Sequence, residues 1–174
     1  MKNHFELLGL VPAFALEPAQ LDRAYREIQS KIHPDRFAHA GEAERRASMQ
    51  WTTQVNEAYR TLKSPVQRAK YLLELNGVDV AFETNTAMPA DFLMEQMELR
   101  ENLEQAQDVA TLALLQKNLV VEKRTIESRI AERIDAQRDY PGAKELVRKL
   151  MFLERLGEEI DAAFDAIEMR APDG

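Results

Sequence analysis

Lys31-Ile32-His33-Pro34-Asp35-Arg36-Phe37 separates two segments in which apolar residues recur at three- and four-residue spacing. Upstream, Leu21, Ala24, Tyr25, Ile28 and Ile32 share one face of a helix that begins after Glu17-Pro18, an acid followed by the residue best tolerated at a first helical position. Pro34 stops that helix, because proline has no amide hydrogen and its ring collides with the preceding turn. Downstream, Trp51, Val55, Ala58, Tyr59 and Leu62 define a second helix over about residues 42 to 63, and their face is expected to pack inward. Ser64-Pro65 opens a third, carrying Ala69, Leu72, Leu73 and Leu75, and Asn76-Gly77 closes it as a left-handed stop.

The same period continues beyond residue 88. Helices are expected over about 89 to 107, 108 to 137 and 141 to 169, with Leu112, Leu115, Leu119, Ile126, Ile130 and Ile134 on the middle one and Leu146, Leu150, Leu153, Ile160, Phe164 and Ile167 on the last. Six glycines, seven prolines and few β-branched clusters leave little material for strands, so the fold class is all-α. Periodicity lapses between Val78 and Met88. The expected organisation is a domain over 1–76, a linker over 77–88 and a three-helix bundle over 89–174. Val78, Val80 and Phe82 are expected to bridge the two domains in part.

Composition narrows the function. The chain of 174 residues has no cysteine, which excludes disulfides, thiolate metal sites and a cysteine nucleophile. The formal net charge of -7 argues against a general nucleic-acid binder, and no apolar run is long enough for a membrane span. The N-terminus lacks the apolar stretch of an export signal, which points to the cytoplasm. Residues 1–76 carry 11 Lys and Arg against 9 Asp and Glu, while 77–174 carry 12 against 21. Two halves of opposite sign suggest two surfaces with different partners.

His33-Pro34-Asp35 alone has an ordinary reading as loop residues after a helix. Its setting is specific: a short N-terminal helix with Phe5, Leu7 and Leu8, a helix displaying Arg23, Arg26 and Lys31 away from its apolar stripe, the tripeptide, and then Gln54-Val55-Asn56-Glu57-Ala58-Tyr59-Arg60-Thr61-Leu62. Over roughly residues 2–75 this arrangement resembles the J-domain family. The resemblance implies docking to an ATP-bound chaperone of the DnaK class and stimulation of its ATPase, with His33, Pro34 and Asp35 as the family's tripeptide and Arg23, Arg26 and Lys31 as its basic helix. Arg36 stands where many members have Lys and keeps the charge.

A second informative stretch is Phe92-Leu93-Met94-Glu95-Gln96-Met97-Glu98-Leu99-Arg100-Glu101. At 100° per residue Phe92, Gln96, Leu99 and Leu103 form the obvious inward stripe, whereas Leu93, Met94 and Met97 share the other side with Glu98, Glu101, Glu104 and Gln105. Phe152 is expected to join that exposed surface if its helix lies alongside. Apolar anchors rimmed by acids are the anatomy of a protein-binding patch for a basic partner.

A J-domain followed by a bundle with this stretch and with Val147-Arg148-Lys149-Leu150-Met151-Phe152-Leu153 resembles the HscB-type co-chaperones of iron-sulfur cluster assembly over almost the whole chain. That resemblance implies that the bundle binds an IscU-type cluster scaffold through Leu93, Met94, Met97, Glu98, Glu101 and Phe152, and that the J-domain engages an HscA-type chaperone. It places a further acidic contact at Gln105. Without cysteines the chain looks like the bacterial type, with no metal site and no cofactor. Two alternatives stand beside it: an enzyme using His33 and Asp35, disfavoured because residues flanking one proline are poorly placed to bond each other and no nucleophile accompanies them, or a helical protein serving another client or none. Burial of Leu93, Met94 and Met97 would remove the basis for scaffold binding.

Overall fold

The structure, a computed structural model, describes residues 1–80 and 89–170. Those residues form seven α-helices: α1 (His4–Leu7), α2 (Pro18–Ile32), α3 (Glu42–Lys63), α4 (Pro65–Leu75), α5 (Ala90–Gln105), α6 (Val109–Ala131) and α7 (Tyr140–Arg170). A 3-10 turn, Pro34–Phe37, follows α2, and a π-helical turn, Glu132–Ala136, ends α6. Among the described residues there is no strand. The chain divides into two compact units, Met1–Asn76 and Gly77–Gly174. Val80 is buried, and Phe82 lies outside the described residues.

The helix boundaries have local causes. The Ser64 hydroxyl accepts from the Gln67 amide at 3.2 Å and Asp108 Oδ1 accepts from the Thr111 amide at 2.6 Å, each satisfying an amide that the first helical turn leaves unpaired. Glu17 stands at the N-cap of α2 without a side-chain bond there, so Pro18 carries that start. Gly77 takes the left-handed conformation after α4, with φ of 75°.

In the first unit Phe5, Leu8, Phe14, Leu21, Val55, Ala58, Leu62, Ala69, Leu72 and Leu73 form the core. Polar groups then tie α2 to α3. Tyr25 and Tyr59 stack with centroids 4.2 Å apart, Tyr25 Oη donates to Asn56 Oδ1 at 2.6 Å, and Tyr59 Oη donates to Asp22 Oδ1 at 2.7 Å. Buried Ser48 on α3 donates to the Ile32 carbonyl at 2.6 Å, at the last residue before the tripeptide.

Two expectations change here. Ile28 and Ile32 are only half-covered, and Trp51 is 45% exposed although it lies on the same angular face as Val55. At that end of α3 the elements opposite are the last turn of α2 and the 3-10 turn, which leave Ile28, Ile32, Phe37, Ala47 and Trp51 lining an open apolar groove.

The bundle core is chiefly an α6–α7 pair, with Leu112, Leu119, Ile126 and Ile130 against Ala143, Val147, Leu150, Leu153, Leu156 and Ile160. Helix α5 contributes no buried residue. Its expected inward stripe, Phe92, Gln96, Leu99 and Leu103, does face inward but is only half-covered. Two polar ties hold it. Lys149 of α7 sits 3.0 Å from Glu95 on α5 and 3.1 Å from Glu122 on α6, and Arg100 Nη1 reaches both carboxylate oxygens of Glu159 at 2.9 and 2.8 Å. Burial alone would lower the Lys149 pKa, but the hydrogen bonds and charges of Glu95 and Glu122 outweigh it and raise it.

Replacing Lys149 by Met is expected to cost about 1 to 2 kcal/mol in urea unfolding, at the modest end for ion pairs because solvent reaches both carboxylates. Folded Lys149 holds its proton more tightly than the unfolded chain does. Its contribution is therefore complete below the ordinary lysine pKa of about 10.4 and fades as pH rises through the folded value above it. The Lys149→Met difference should accordingly be constant from neutral pH to mild alkali and shrink beyond. Ser48→Ala is expected to cost about 1 to 2 kcal/mol, because it removes a buried bond and leaves the Ile32 carbonyl short of a partner; denaturant titration and proteolysis after Arg36 would show the loss and its position.

Candidate functional site

The tripeptide occupies the turn between α2 and α3, with the α2 end fixed by Ser48. Pro34 sets the start of the 3-10 turn, and His33 caps it: the Asp35 amide donates to His33 Nδ1 at 3.2 Å. A neutral ring accepting at Nδ1 carries its proton on Nε2, so an N–H donor is displayed at the edge remote from the backbone. Asp35 Oδ2 lies 3.5 Å from His33 Nδ1, and its side chain is 92% exposed.

The side chains of His33 and Asp35 approach to 3.5 Å because the tight turn folds Asp35 back toward the ring, but the hydrogen bond at His33 Nδ1 comes from the Asp35 amide and not from its carboxylate. The contact differs from a catalytic base and its orienter, in which a carboxylate accepts from a ring N–H; here the nitrogen facing Asp35 already accepts from the backbone. Among the described residues no group of three His, Asp or Glu is placed to hold a metal ion.

The cations around the turn divide into two kinds. Arg23 and Arg26 are exposed on α2 and make no ion pair among the described residues. Lys31 pairs with Glu27 at 3.2 Å, a surface contact worth little in water. Arg36 bends back and donates from Nη1 to the Ser30 carbonyl at 2.8 Å, closing the C-terminal end of α2. One of the expected docking residues is therefore also a helix cap.

The second candidate surface lies on α5. Leu93, Met94 and Met97 are 41, 69 and 71% exposed, so the condition that would have removed the patch is not met. Asp91, Glu95, Glu98 and Glu101 line a shallow concavity with the two methionines. Gln105 donates from Nε2 to Glu101 Oε1 at 3.2 Å, so where the family resemblance places an acid this chain has an amide that orients the neighbouring carboxylate.

Phe152 is corrected. It is 4% exposed and lies beneath α5, with the Phe92 ring edge-on at 6.1 Å and the Arg100 guanidinium 5.4 Å from its centroid. Aromatic and cationic side chains of α5 cover it, so it forms part of the floor under the patch rather than an exposed anchor. The supporting roles of Arg100 and Ser48 had no sequence signal of their own, since each depends on what another helix or turn places opposite.

Comparison with known proteins agrees with this division. Residues 3–71 match the family described as the DnaJ domain, and residues 88–161 match the HSCB C-terminal oligomerisation domain. The co-chaperone protein HscB homolog of Azoarcus sp. is 46% identical over 170 residues, covering 96% of each chain, and that of Burkholderia vietnamiensis is 49% identical over 169 residues, covering 95% of this chain and 96% of the other. Among solved structures, the chaperone HscB from Vibrio cholerae superposes with a TM-score of 0.82 at 37% identity, covering 95% of this chain and 99% of the other. Human co-chaperone protein HscB gives 0.87 at 28% identity, over 92% and 81%. With a tripeptide turn on one helical unit, an acid-rimmed apolar patch on the other, and this similarity along nearly its full length, the chain belongs to the HscB family of J-domain co-chaperones.

Proposed function

We propose that the chain is an adaptor without catalysis of its own, acting in the cytoplasm: the bundle captures an IscU-type iron-sulfur scaffold protein, and the J-domain presents it to an HscA-type chaperone whose ATP hydrolysis it stimulates. The observation that carries the client half is the exposure of Leu93, Met94 and Met97 on a helix with no buried side chain, beside the exposed carboxylates of Asp91, Glu98 and Glu101. Apolar anchors supply most of the affinity, and Asp91, Glu98 and Glu101 favour a client whose matching surface is basic. Methionine side chains adapt to a partner's shape at little cost. Phe152 acts from below, keeping α5 at the height at which the anchors are presented.

For the chaperone half, the support is a pre-shaped turn. His33 and Asp35 are held by Pro34, the cap bond and Ser48 before any partner arrives, so little conformational freedom is lost on contact. Arg23, Arg26 and Lys31 add a positive field that speeds encounter with an acidic surface and weakens as salt rises. Linking both sites in one chain raises the effective concentration of client at the chaperone.

The test is an ATPase assay on the HscA-type chaperone with the chain and the scaffold added separately and together, where synergy is expected. His33→Gln should abolish stimulation and leave scaffold binding unchanged; full stimulation by that variant would refute the J-domain role. The triple variant Leu93→Ala, Met94→Ala, Met97→Ala should lose about 2 kcal/mol of scaffold affinity by calorimetry, about thirtyfold in Kd, while basal stimulation persists. An unchanged Kd would remove the client site from α5.

A further inference from the structure

The two methionines of the α5 patch carry a chemistry that apolar contact leaves unused. Met94 and Met97 are 69 and 71% exposed, lie three residues apart on one face of α5 and line the same shallow concavity. The chain has no cysteine, so thioethers are its only sulfur atoms. Met1, Met49 and Met169 are exposed as well, but none of them lines that concavity; Met151 of α7 is half-covered, and Met88 lies outside the described residues. Among the described residues, the pair on α5 is where open access to sulfur coincides with a surface on which a change of polarity has a consequence.

An exposed thioether reacts with hydrogen peroxide without help from the fold. The sulfur lone pair attacks one peroxide oxygen, the O–O bond breaks, and the sulfoxide forms as water leaves; sulfur is oxidised and peroxide reduced by two electrons. The product replaces a soft apolar atom by a polar S=O group that accepts hydrogen bonds. Asp91, Glu98 and Glu101 beside it are acceptors too, so the patch gains acceptors and no donor. A partner packing on the oxidised anchors has to strip water from S=O groups for which the patch supplies no donor, and its affinity falls. The fold is spared. Helix α5 buries no residue, and its ties through Lys149 and Arg100 involve neither sulfur, so oxidation alters the surface and leaves the bundle standing.

We propose that Met94 and Met97 form a redox-sensitive modification site: hydrogen peroxide converts them to sulfoxides, the patch then releases its client, and methionine sulfoxide reductases acting with a dithiol restore it. In the return step the sulfoxide oxygen leaves as water, sulfur is reduced to the thioether and the dithiol is oxidised to a disulfide. Delivery of the client thereby pauses while peroxide is present and resumes without new synthesis of the chain. The modification follows from exposure alone; its effect on the client rests on the reading that α5 binds the scaffold.

The test treats the full chain with hydrogen peroxide, removes the excess with catalase, and reads sulfoxides by peptide mass spectrometry and scaffold binding by calorimetry. Met94 and Met97 are expected to oxidise about as fast as Met169 and well ahead of Met151. The Kd for the scaffold should rise about tenfold and return after reductase and dithiothreitol, while circular dichroism stays unchanged. A chain carrying M94L and M97L should show the same Kd before and after peroxide, whatever its starting value, and one carrying M49L and M169L should be as sensitive as the unaltered chain. Met94 and Met97 still reduced after Met169 has oxidised overturn the proposal. So does an unchanged Kd for the oxidised chain, or a loss that M94L and M97L do not prevent. Failure of the untreated chain to bind the scaffold is seen before peroxide is added; it overturns the control of binding together with the client reading, whereas sulfoxide formation at the pair is still read by mass.

Discussion

A helix that leaves its apolar side chains in solvent cannot use them to hold itself in place. This constraint governs α5. With no buried residue, α5 depends on Lys149 bridging Glu95 and Glu122, on Arg100 gripping Glu159, and on Phe92 standing edge-on to Phe152. Charged and aromatic contacts at half-exposed sites are weaker per group than core burial, so α5 is the least strongly held helix of its unit. The arrangement leaves Leu93, Met94 and Met97 in solvent.

The first unit resolves a similar conflict differently. The residues proposed for chaperone docking stand in a turn, where backbone freedom is greatest, and the turn is stiffened from three sides: Pro34 restricts φ, His33 caps the 3-10 turn, and Ser48 and Arg36 secure the end of α2. The stacked tyrosines hold α2 to α3 just behind it. Polar side chains thereby do the work of shape, and Arg23 and Arg26 on the outer side of α2 remain exposed. Charge segregates accordingly, with mildly basic residues 1–76 and strongly acidic residues 77–174.

Helix positions, their period, the proline and serine starts and the glycine stop were legible in the sequence, because each depends on neighbours within a turn or two. The J-domain tripeptide and the stretch from Phe92 to Glu101 were legible as motifs for the same reason. Angular position was read correctly too: Leu93, Met94 and Met97 were placed on the outer side of α5, and Phe92, Gln96, Leu99 and Leu103 on its inner side.

What lies opposite an angular position is a different matter, and it was decided only in three dimensions. Trp51 shares a face with Val55, yet it is exposed because the last turn of α2 and the 3-10 turn, with Ile28, Ile32 and Phe37, leave an open groove beside it. Phe152 sits off the centre of its helix's stripe, yet it is buried because Phe92 and Arg100 cover it. His33 and Asp35 meet because a tight turn reverses the chain between them. By itself the sequence determined which helices form, which way their side chains point and which motifs they carry, since these follow from local spacing. Burial and contact required the tertiary structure, because they depend on the length and placement of a second element distant in the chain.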